Sequence, residues 1–585
     1  MGDTIEDIED ALSITVASAD NLVLDDTRRL TGPNMLWDHP GAVMDVFYDG
    51  FDAGDITRLW QQHARRVLDA IGWTKQETIV RSFDGGVNLA ISAPMDQLYS
   101  AIFAAQTAWH FCAASLLKQP YGDFESMIDD LKSVMIREAN PALISMIKAA
   151  DTHKVDVLTD DDDLSLGHGA GSVTWPVNDL PEPENVPWDQ LYDIPVALIT
   201  GTNGKTTTTR LCAAIAKAAG KIAGLTSTDF VRVGDDILDR GDYSGPGGAR
   251  MLLRDQRLEI AYLEVARGGI LRRGLPLRRA RAALVSNVAA DHLGQYGVNT
   301  VEDLAVAKFA VFRTLADDGV LVLNADDPYV ARQGAQTPAN ICWFSLDPKS
   351  QQIVDAQSAG RPCAWLHDTV LCYFDGAKTT NMIDVKDIPL AMGGAARYNV
   401  QNALGAMCLS RAMGLPDKAI YTGLSNFQND PKDNPGRCNE FRVNGARVFV
   451  DFAHNPHSIA AVTGAMASIP AKRRFIMLSH AGDRSDQDIR DVTATALDLK
   501  PDYMLAVELF DYLRGRKTGE IPTLISDECL KRGMTHEQVI FASSPSDGTE
   551  KVLDQLKPGD LALLLVLSER DKIFEMLERA SGNTI

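Results

Sequence analysis

Short apolar runs alternate, from about residue 194 onward, with longer stretches whose apolar residues recur every three to four positions. The short runs are typical of buried strands, and the three-to-four spacing is typical of helices that cover them. Such alternation predicts a mostly parallel sheet with helices on its faces. The predicted strands are 194–200, 259–264, 282–288 and 319–323, and the predicted helices are 204–219 and 301–315.

A second alternating series begins near residue 446 and predicts a separate α/β domain. Its first strands are 446–451, 474–479 and 502–507, and its first helices are 456–468 and 486–498. Between the two series, residues 340–390 are richer in short β-like runs and turns. This part of the chain predicts a small inserted lobe.

The first third of the chain is set apart by its composition. Four consecutive Asp residues at 160–163 are followed by a proline-rich stretch at 176–187, which predicts a linker. A chain of 585 residues also exceeds what one hydrophobic core usually serves. We therefore predict three domains, which span 1–188 with the linker, 189–427 and 428–585.

Charge divides the chain at the same place. The formal net charge is −22, and residues 1–188 hold 12 Lys and Arg against 31 Asp and Glu. Such an acidic field repels nucleic acid, so we expect no nucleic-acid partner. The field could draw in a cationic partner, but charge alone favours a solvated acidic surface without a binding role.

Three observations favour a cytoplasmic protein. No run of about 18 apolar residues is present, so we expect no membrane span. The first ten residues are acidic and lack the apolar core of a secretory signal. The eight cysteines are scattered without a CxxC pair, which fits a reducing compartment and argues against a structural zinc site.

The most informative stretch is 196–209, an apolar strand that runs into a glycine-rich turn and then a helix. Gly201 and Gly204 let backbone N–H groups crowd around an anion at the helix N-terminus. Lys205 can reach the terminal phosphates of a nucleotide, and the Thr206 hydroxyl can bind Mg²⁺. The sequence therefore predicts a phosphate-binding loop that takes ATP and Mg²⁺.

Further polar residues follow the predicted strands, where open α/β sheets place their sites. Glu264 closes one strand and could hold the metal beside Thr206, although a solvent-facing Glu is an equal alternative. His292 offers a metal-binding nitrogen that Asp291 could orient, or the pair is a capped turn. Lys308 lies near the apolar face of a predicted helix, which is either a functional position or a snorkelling lysine.

In this order along the chain, the motifs resemble the Mur ligase family, the ATP-dependent amino-acid ligases. The resemblance covers nearly 400 residues. It is carried by Gly201-Thr-Asn-Gly-Lys-Thr-Thr, Gly224-Leu-Thr-Ser-Thr-Asp, Glu264, Asn287 to His292, Lys308, Asn324-Ala-Asp-Asp-Pro, Tyr398-Asn-Val-Gln-Asn402, Pro435-Gly-Arg437, Asp451-Phe-Ala-His-Asn-Pro and Gly482-Asp-Arg-Ser-Asp486. It implies an α/β fold with a central P-loop ATPase domain, whose sheet is mostly parallel. A Rossmann-like C-terminal α/β domain would follow this domain, and an α+β N-terminal domain would precede it.

The resemblance also implies roles for individual residues. Lys205, Glu264, His292, Lys308 and Arg437 would be catalytic. Thr206, Glu264, His292 and Lys308 would hold metal, Lys308 after carbamylation. The nucleotide-binding set would be Thr202, Asn203, Gly204, Lys205, Thr206, Thr207, Asn287, Asn324, Asn399, Asn402, Arg437 and Asp451.

Within the family, the chain is most similar to the cyanophycin synthetases, including a looser likeness in the N-terminal part. Those enzymes have an ATP-grasp domain between the two similar parts, and here only about 155–190 separates them. The resemblance implies that an amino acid, arginine being one candidate, is joined to the carboxylate of an acidic acceptor. It also implies a homo-oligomer.

Two observations bear on the substrates. Six arginines fall between residues 267 and 281, and they form either a site for a carboxylate-rich acceptor or ion pairs with nearby acids. Asp483, Arg484, Arg514 and Arg516 could hold the incoming amino acid, by analogy with the family. Two other functions stay open, namely a nucleotide-hydrolysing P-loop regulator and an accessory polymer-binding protein.

Overall fold

Four sheets organise the chain in a computed structural model, which describes residue 8 and residues 11–582. The expectation that the chain has no secretory signal rests on the first ten residues, and nearly all of these lie outside the described part. We take the sheets in chain order and give the elements of each.

The N-terminal unit is a four-stranded antiparallel sheet in the order β1–β2–β4–β3, covered by helices. Its core gathers around Trp60 and Trp109, which are fully buried. The strands are β1 (Leu22–Leu30), β2 (Gly41–Tyr48), β3 (Thr78–Phe83) and β4 (Gly86–Ser92). The helices are α1 (Ala53–Ala70), α2 (Leu98–Leu117), α3 (Phe124–Glu138) and α4 (Pro141–His153).

The region predicted as a linker carries a small antiparallel sheet in the order β5–β6–β7. Its strands are β5 (Val157–Thr159), β6 (Asp163–Leu166) and β7 (Val173–Pro176). The acidic run at 160–163 forms the turn between the first two strands and the first residue of β6. These strands share a core with helix α4 that includes Leu143, Met146 and Leu166, so the segment is folded.

The middle region is one eleven-stranded sheet in the order β11–β10–β9–β12–β8–β13–β14–β15–β16–β17–β18. The inner strands, from β9 to β16, run parallel, and both edges are antiparallel. The strands are β8 (Val196–Thr200), β9 (Ala223–Thr226), β10 (Phe230–Val233), β11 (Asp236–Arg240), β12 (Ile260–Glu264), β13 (Ala280–Val285), β14 (Leu315–Asn324), β15 (Asn340–Ser345), β16 (Cys363–His367), β17 (Val370–Phe374) and β18 (Thr379–Asp384).

Helices pack on both faces of this sheet, as the sequence pattern predicts. They are α5 (Lys205–Ala218), α6 (Pro246–Leu253), α7 (Arg267–Arg272), α8 (Val301–Phe309), α9 (Pro328–Gly334), α10 (Gln351–Ser358), α11 (Arg397–Ala412) and α12 (Asp417–Asn426). The prediction of an inserted lobe at 340–390 is wrong. Strand β15 pairs in parallel with β14, and β16 to β18 extend the same sheet to its edge.

The C-terminal region is a six-stranded sheet in the order β19–β20–β24–β21–β22–β23, parallel except for the hairpin β19–β20. Its strands are β19 (Asn439–Val443), β20 (Ala446–Asp451), β21 (Arg474–Leu478), β22 (Tyr503–Val507), β23 (Val539–Ala542) and β24 (Leu561–Leu565). Its helices are α13 (Pro456–Ala467), α14 (Asp486–Ala496), α15 (Glu520–Lys531), α16 (Pro545–Gln555) and α17 (Arg570–Ala580). The predicted α/β domain is confirmed here, while the bounds proposed between domains stay predictions.

All eight cysteines are buried and free, and they are spread over the three regions. Among the described residues, no helix is both long enough and apolar enough to cross a membrane.

Candidate active site

The phosphate-binding loop connects the end of β8 to the start of α5. Gly204 caps the helix with a φ of +84°, and Gly201 has a φ of +149°. A methyl group at Gly204 would collide with the side-chain oxygen of Asn402, and one at Gly201 would collide with the hydroxyl of Ser286. Both positions therefore need glycine for conformation and for space.

Lys205 lies with its ammonium inside the loop. Its Nζ donates to the carbonyls of Gly201 at 3.1 Å and Thr202 at 3.0 Å. These contacts hold the Lys205 ammonium beside the place where an anion would bind. The loop N–H groups and the N-terminus of α5 favour an anion at that place. The loop can thus bind a polyphosphate through backbone and side chain together.

Glu264 lies at the end of β12 and faces the start of α5. The hydroxyl of Thr206 donates to its Oε2 at 2.9 Å, and its Oε1 is buried without a hydrogen-bond partner. Burial raises the pKa of Glu264, against the opposing charges of Lys205 and Arg437. An anionic oxygen left unpaired in a dry pocket is a position that a cation would satisfy.

These residues fit a magnesium ion that shares its coordination with phosphates. Within residues 8 and 11–582, no three His, Cys, Asp or Glu side chains form a metal-binding group. Mg²⁺ is commonly bound by one or two carboxylates together with substrate phosphates, so a full protein cage is not required. Thr206 and Glu264 provide the hydroxyl and the carboxylate of such a site.

The predicted asparagines form the frame around the loop. Asn287 accepts from the backbone N–H of Asn203 at 2.9 Å and donates back to its carbonyl at 2.9 Å. Asn324 donates to the carbonyl of Ser286 at 2.9 Å. On α11, Asn402 donates to the side-chain oxygen of Asn399 at 3.1 Å, and Asn399 donates to the carbonyl of Leu390 at 3.1 Å. Each amide is already oriented by the protein.

The C-terminal region supplies the opposite wall. Arg437 reaches the hydroxyl of Thr206 at 3.5 Å, and its guanidinium lies 5.0 Å from the ring centroid of Phe452. The side chain of Asn203 donates to His457 Nδ1 at 2.9 Å, and Asn455 donates to Asn203 Oδ1 at 3.2 Å. The cleft is therefore closed by side-chain contacts between two domains.

Asp451 ends β20 and is buried in this wall. It accepts from the backbone N–H of Ala453 at 2.7 Å. Burial raises the pKa of Asp451 to about 6, although the nearby charge of Arg437 lowers it in part. The carboxylate is thus held in a dry position that a nucleotide hydroxyl or a cation would stabilise.

One cavity joins all of the predicted nucleotide-binding residues. Its lining includes every predicted member of the nucleotide set, together with Glu264. These members are Thr202, Asn203, Gly204, Lys205, Thr206, Thr207, Asn287, Asn324, Asn399, Asn402, Arg437 and Asp451.

Lys308 and His292 lie beside this cavity and not in its lining. Lys308 is buried on α8, and its Nζ donates to the carbonyl of Gly201 at 2.8 Å, so it holds the phosphate-binding loop from behind. Burial lowers the pKa of Lys308 well below its usual value, and the charge of Lys205 lowers it further. The amine is therefore biased toward its neutral form.

His292 follows β13 and contacts the C-terminal region. Its Nε2 lies 2.7 Å from the guanidinium of Arg484 and 3.9 Å from the carboxylate of Asp291. Burial lowers the pKa of His292 to about 4; Asp291 opposes this shift and Arg484 adds to it. The ring is neutral at neutral pH, and its Nε2 accepts from Arg484.

Sequence reasoning missed several residues in and around the cleft between the middle and C-terminal regions. Asn455 belongs to the motif Asp451-Phe-Ala-His-Asn-Pro, which could have signalled it, and His457 follows directly after that motif in the predicted helix. Arg210 gave no such signal. It is buried on α5, where it pairs with Asp229 at 2.5 Å, and Asp229 pairs with Arg570 of the C-terminal region at 2.7 Å.

The predicted basic patch is dispersed by ion pairs and hydrogen bonds. Arg278 pairs with Asp151 at 3.1 Å, and Arg281 pairs with Asp318. Arg267 donates to the carbonyl of His292. These contacts favour the ion-pair alternative for Arg278 and Arg281. In the C-terminal region, Arg514 pairs with Asp483 and Arg516 pairs with Asp486 at 2.8 Å.

Comparison with protein families matches two stretches of this chain. Residues 199–410 match the Mur ligase middle domain, and residues 436–565 match the Mur ligase glutamate ligase domain. The two matches cover the two walls of the cavity.

Known proteins resemble up to about two thirds of the chain. Cyanophycin synthetase of Trichormus variabilis is 37% identical over 389 residues, which are 65% of this chain and 42% of that enzyme. UDP-N-acetylmuramoylalanine--D-glutamate ligase of Acidobacterium capsulatum is 29% identical over 235 residues, 39% of this chain and 43% of that enzyme. The chain thus spans less than half the length of these relatives.

Among solved structures, E. coli FolC in complex with DHPP and ADP has a TM-score of 0.50 at 20% identity. The match covers 66% of this chain and 89% of that one. At this identity the likeness establishes the fold.

Proposed function

Since this chain belongs to the Mur ligase family through its middle and C-terminal domains, we propose that it is an ATP-dependent amide ligase. It transfers the γ-phosphate of ATP to a substrate carboxylate, and the amine of an amino acid then attacks the acyl phosphate. The products are an amide, ADP and phosphate. One relative is named a synthetase and the other a ligase, which supports this class of reaction.

The observation that carries the proposal is the cavity that joins the two matched domains. A phosphate-binding loop alone would fit many nucleotide-hydrolysing proteins. Here Arg437 from the C-terminal wall reaches Thr206 at 3.5 Å, beside the unpaired carboxylate oxygen of Glu264. A second domain that reaches the phosphate position fits a ligase that brings two substrates together.

The chain's own residues then have separate tasks. Lys205 and Arg437 neutralise and orient the phosphates, which supplies electrostatic stabilisation as charge shifts during transfer. Thr206 and Glu264 would hold Mg²⁺, which screens the phosphate charge when bound. Asn324, Asn399 and Asn402 present fixed amides to the base or its surroundings. Closure of the C-terminal wall excludes water from the acyl phosphate.

Lys308 and His292 are assigned to a second cation position. The neutral amine that burial favours at Lys308 is the form that reacts with carbon dioxide to give a carbamate. A carbamate would add an anionic ligand behind the phosphate-binding loop. The neutral imidazole of His292 is likewise the form that binds metal.

The substrates we propose are an acidic, carboxylate-bearing acceptor and an amino acid, with arginine as the first candidate. The acceptor class and arginine come from the similarity to cyanophycin synthetases, of which this chain spans less than half. The chain has no room for a domain between residues 176 and 196. We therefore propose side-chain-type ligation onto an existing acceptor.

The test is release of ADP and phosphate from Mg-ATP with paired substrates. Amino acids, arginine first, are screened against poly-aspartate and short aspartyl peptides. Release that requires both members of one pair is expected, with a product heavier by that amino acid less water. Lys205→Ala should abolish it.

The control separates the ligase from a nucleotide-hydrolysing regulator. ATP hydrolysis with neither acid nor amine, still lost in Lys205→Ala, would overturn the proposal in favour of a regulator. An accessory polymer-binding protein would bind poly-aspartate and consume no ATP with any pair.

A further inference from the structure

The N-terminal unit, β1–β4 with α1–α4, lies outside the two family matches. Its contacts with the middle domain include the His292 segment, which we define as residues 291–303, and the neighbouring residues 271–275. We propose that the N-terminal unit holds the His292 segment in the conformation that presents His292 and Lys308 to the active site. The inference rests on the proposed function for its catalytic consequence, and its structural part can be tested without activity.

The backbone of the segment needs external support. His292 and Tyr296 have φ values of +52° and +56°, and Gly294 and Gly297 have φ values of +88° and +70°. Side-chain-bearing residues in the left-handed region cost free energy and persist where the surrounding structure enforces them. Gly294 N–H donates to the carbonyl of Val298, and Val298 N–H donates to the carbonyl of Gln295. Beyond these internal bonds, the segment must therefore be held by contacts from outside.

Arg81 on β3 supplies two such contacts. Its Nη1 donates to the carbonyl of Gly297 at 2.8 Å, and its Nη2 binds the carboxylate of Asp303. Asp303 completes the capping box of α8 with Thr300. One guanidinium thus fixes both the left-handed turn and the N-terminus of the helix that carries Lys308.

Arg28 on β1 supports the ring of Tyr296. Its guanidinium carbon lies 4.7 Å from the ring centroid, and its Nε donates to the carbonyl of Leu271 at 2.9 Å. Asp45 holds the same guanidinium with contacts of 2.6 and 3.1 Å, and Arg28 is only 7% exposed. A buried, fully paired cation has little freedom to move, so it fixes the position of Tyr296.

The β3–β4 turn completes the contact. A methyl group at Gly297 would collide with the ring of Phe83, which shows how closely the turn approaches the segment. Asn299 donates to the carbonyl of Asp84 at 3.3 Å. One hairpin of the N-terminal unit therefore contacts the segment from Gly297 to Asp303.

A second route reaches His292 through helix α7. Arg267 donates to the carbonyl of His292 and to Gln295 Oε1 at 2.7 Å. The end of α7 is bound in turn by the N-terminal unit, because Thr31 donates to the carbonyl of Arg273 at 2.8 Å. Both sides of the His292 segment thus depend on the same unit, which makes Arg81 and Arg28 positioning residues.

The experiment is Arg81→Ala in the full chain, with hydrogen exchange of peptides from 291–309 and from 196–209 as the first readout. We expect exchange in 291–309 to rise at least tenfold while the phosphate-binding loop changes less than twofold. Where ligase turnover is measurable, kcat should fall about tenfold with the KM for ATP unchanged within twofold, and Arg81→Lys should recover part of it.

Arg58→Ala is the matched control, because Arg58 forms an exposed ion pair with Asp55 in the same unit. It should leave both readouts unchanged. Phe83→Leu tests the same contact if Arg81→Ala fails to fold. Unchanged exchange at 291–309 in a folded Arg81 or Phe83 variant would overturn the inference, whether or not the chain is a ligase. Absence of ligation in the unaltered chain would overturn the proposed function alone.

Discussion

The phosphate-binding loop and the His292 segment follow neighbouring parallel strands, β8 and β13, yet they are held in opposite ways. In the loop, the left-handed positions are glycines, and most of the contacts come from the same domain. In the segment, His292 and Tyr296 are left-handed with side chains, and the contacts from the N-terminal unit come from residues more than 200 positions away. Local chemistry fixes the first, and tertiary packing fixes the second.

The comparison explains why one element can be recognised as a motif and the other cannot. A glycine turn between a strand and a helix carries its conformation in its own residues. The conformation at Tyr296 depends on a contact with Arg28, which lies in a different part of the chain. Variants that disturb each element should therefore fail in different ways.

The largest effect is expected at Gly204→Ala. Alanine there has both the left-handed strain and a collision with Asn402, which together cost about 4 kcal/mol. We expect ATP-dependent turnover to fall about a thousandfold, since each 1.4 kcal/mol is tenfold. ATP binding and ADP release measure it. A fall of less than tenfold would mean that the loop relaxes freely and is less local than we describe.

The acids beside the two elements should respond to pH with opposite signs. Burial raises the pKa of Asp451 to about 6, so its contribution to stability is present below about pH 4 and lost as pH rises through 6. Asp451→Asn removes this loss, and the free energy of unfolding at pH 7.5 should rise by up to about 3 kcal/mol. Urea unfolding of the C-terminal domain between pH 4 and pH 8 measures it.

Asp291, beside His292, is the matched control for this prediction. Burial alone would raise the pKa of Asp291, but the charge of Arg484 and those of His292 and His454, which are protonated in acid, outweigh burial and lower it. Its contribution is therefore present above its unfolded pKa and lost as pH falls through the lowered value. Asp291→Asn should lower the free energy of unfolding at neutral pH. A change of the same sign in the free energy of unfolding for Asp451→Asn and Asp291→Asn would contradict the expected opposite pH responses.

The smallest effect separates two glycines of the His292 segment. Gly297→Ala and Gly294→Ala have the same left-handed strain, but only the first meets Phe83, while open space surrounds the second. We expect turnover of Gly297→Ala to be about tenfold lower than that of Gly294→Ala, because overpacking costs about 1–3 kcal/mol. Adding Phe83→Ala should close the gap. Equal turnover in both variants would show that the N-terminal hairpin is not felt at this site.

Elements of the fold and the site could be predicted from the sequence where neighbouring residues determine the local structure. Lys205, Thr206 and the strand at 446–451 follow from contiguous patterns, and the structure places them as predicted. The family resemblance added the asparagines and Arg437, which contiguous patterns alone do not identify. Lys205, Thr206, these asparagines and Arg437 line one cavity.

Prediction failed where partners are distant. The short β-like runs at 340–390 do not state which sheet they join, and pairing of Val320 with Asn340 decides it. Three-residue strands such as β5 are too short for a periodic pattern, so a folded segment was taken for a linker. The sequence left Arg281 open between a substrate site and an ion pair, because its partner, Asp318, is not a sequence neighbour.

The burial of every cysteine gives the molecule built-in reporters of breathing. Cys112 lies in the N-terminal unit, Cys212 in the helix after the phosphate-binding loop, and Cys529 in the C-terminal region, all without exposed surface. A thiol reagent can react with each one only after its surroundings open. Mass-mapped labelling of the unaltered chain would therefore rank the three regions by how often each one opens, with no engineered probe.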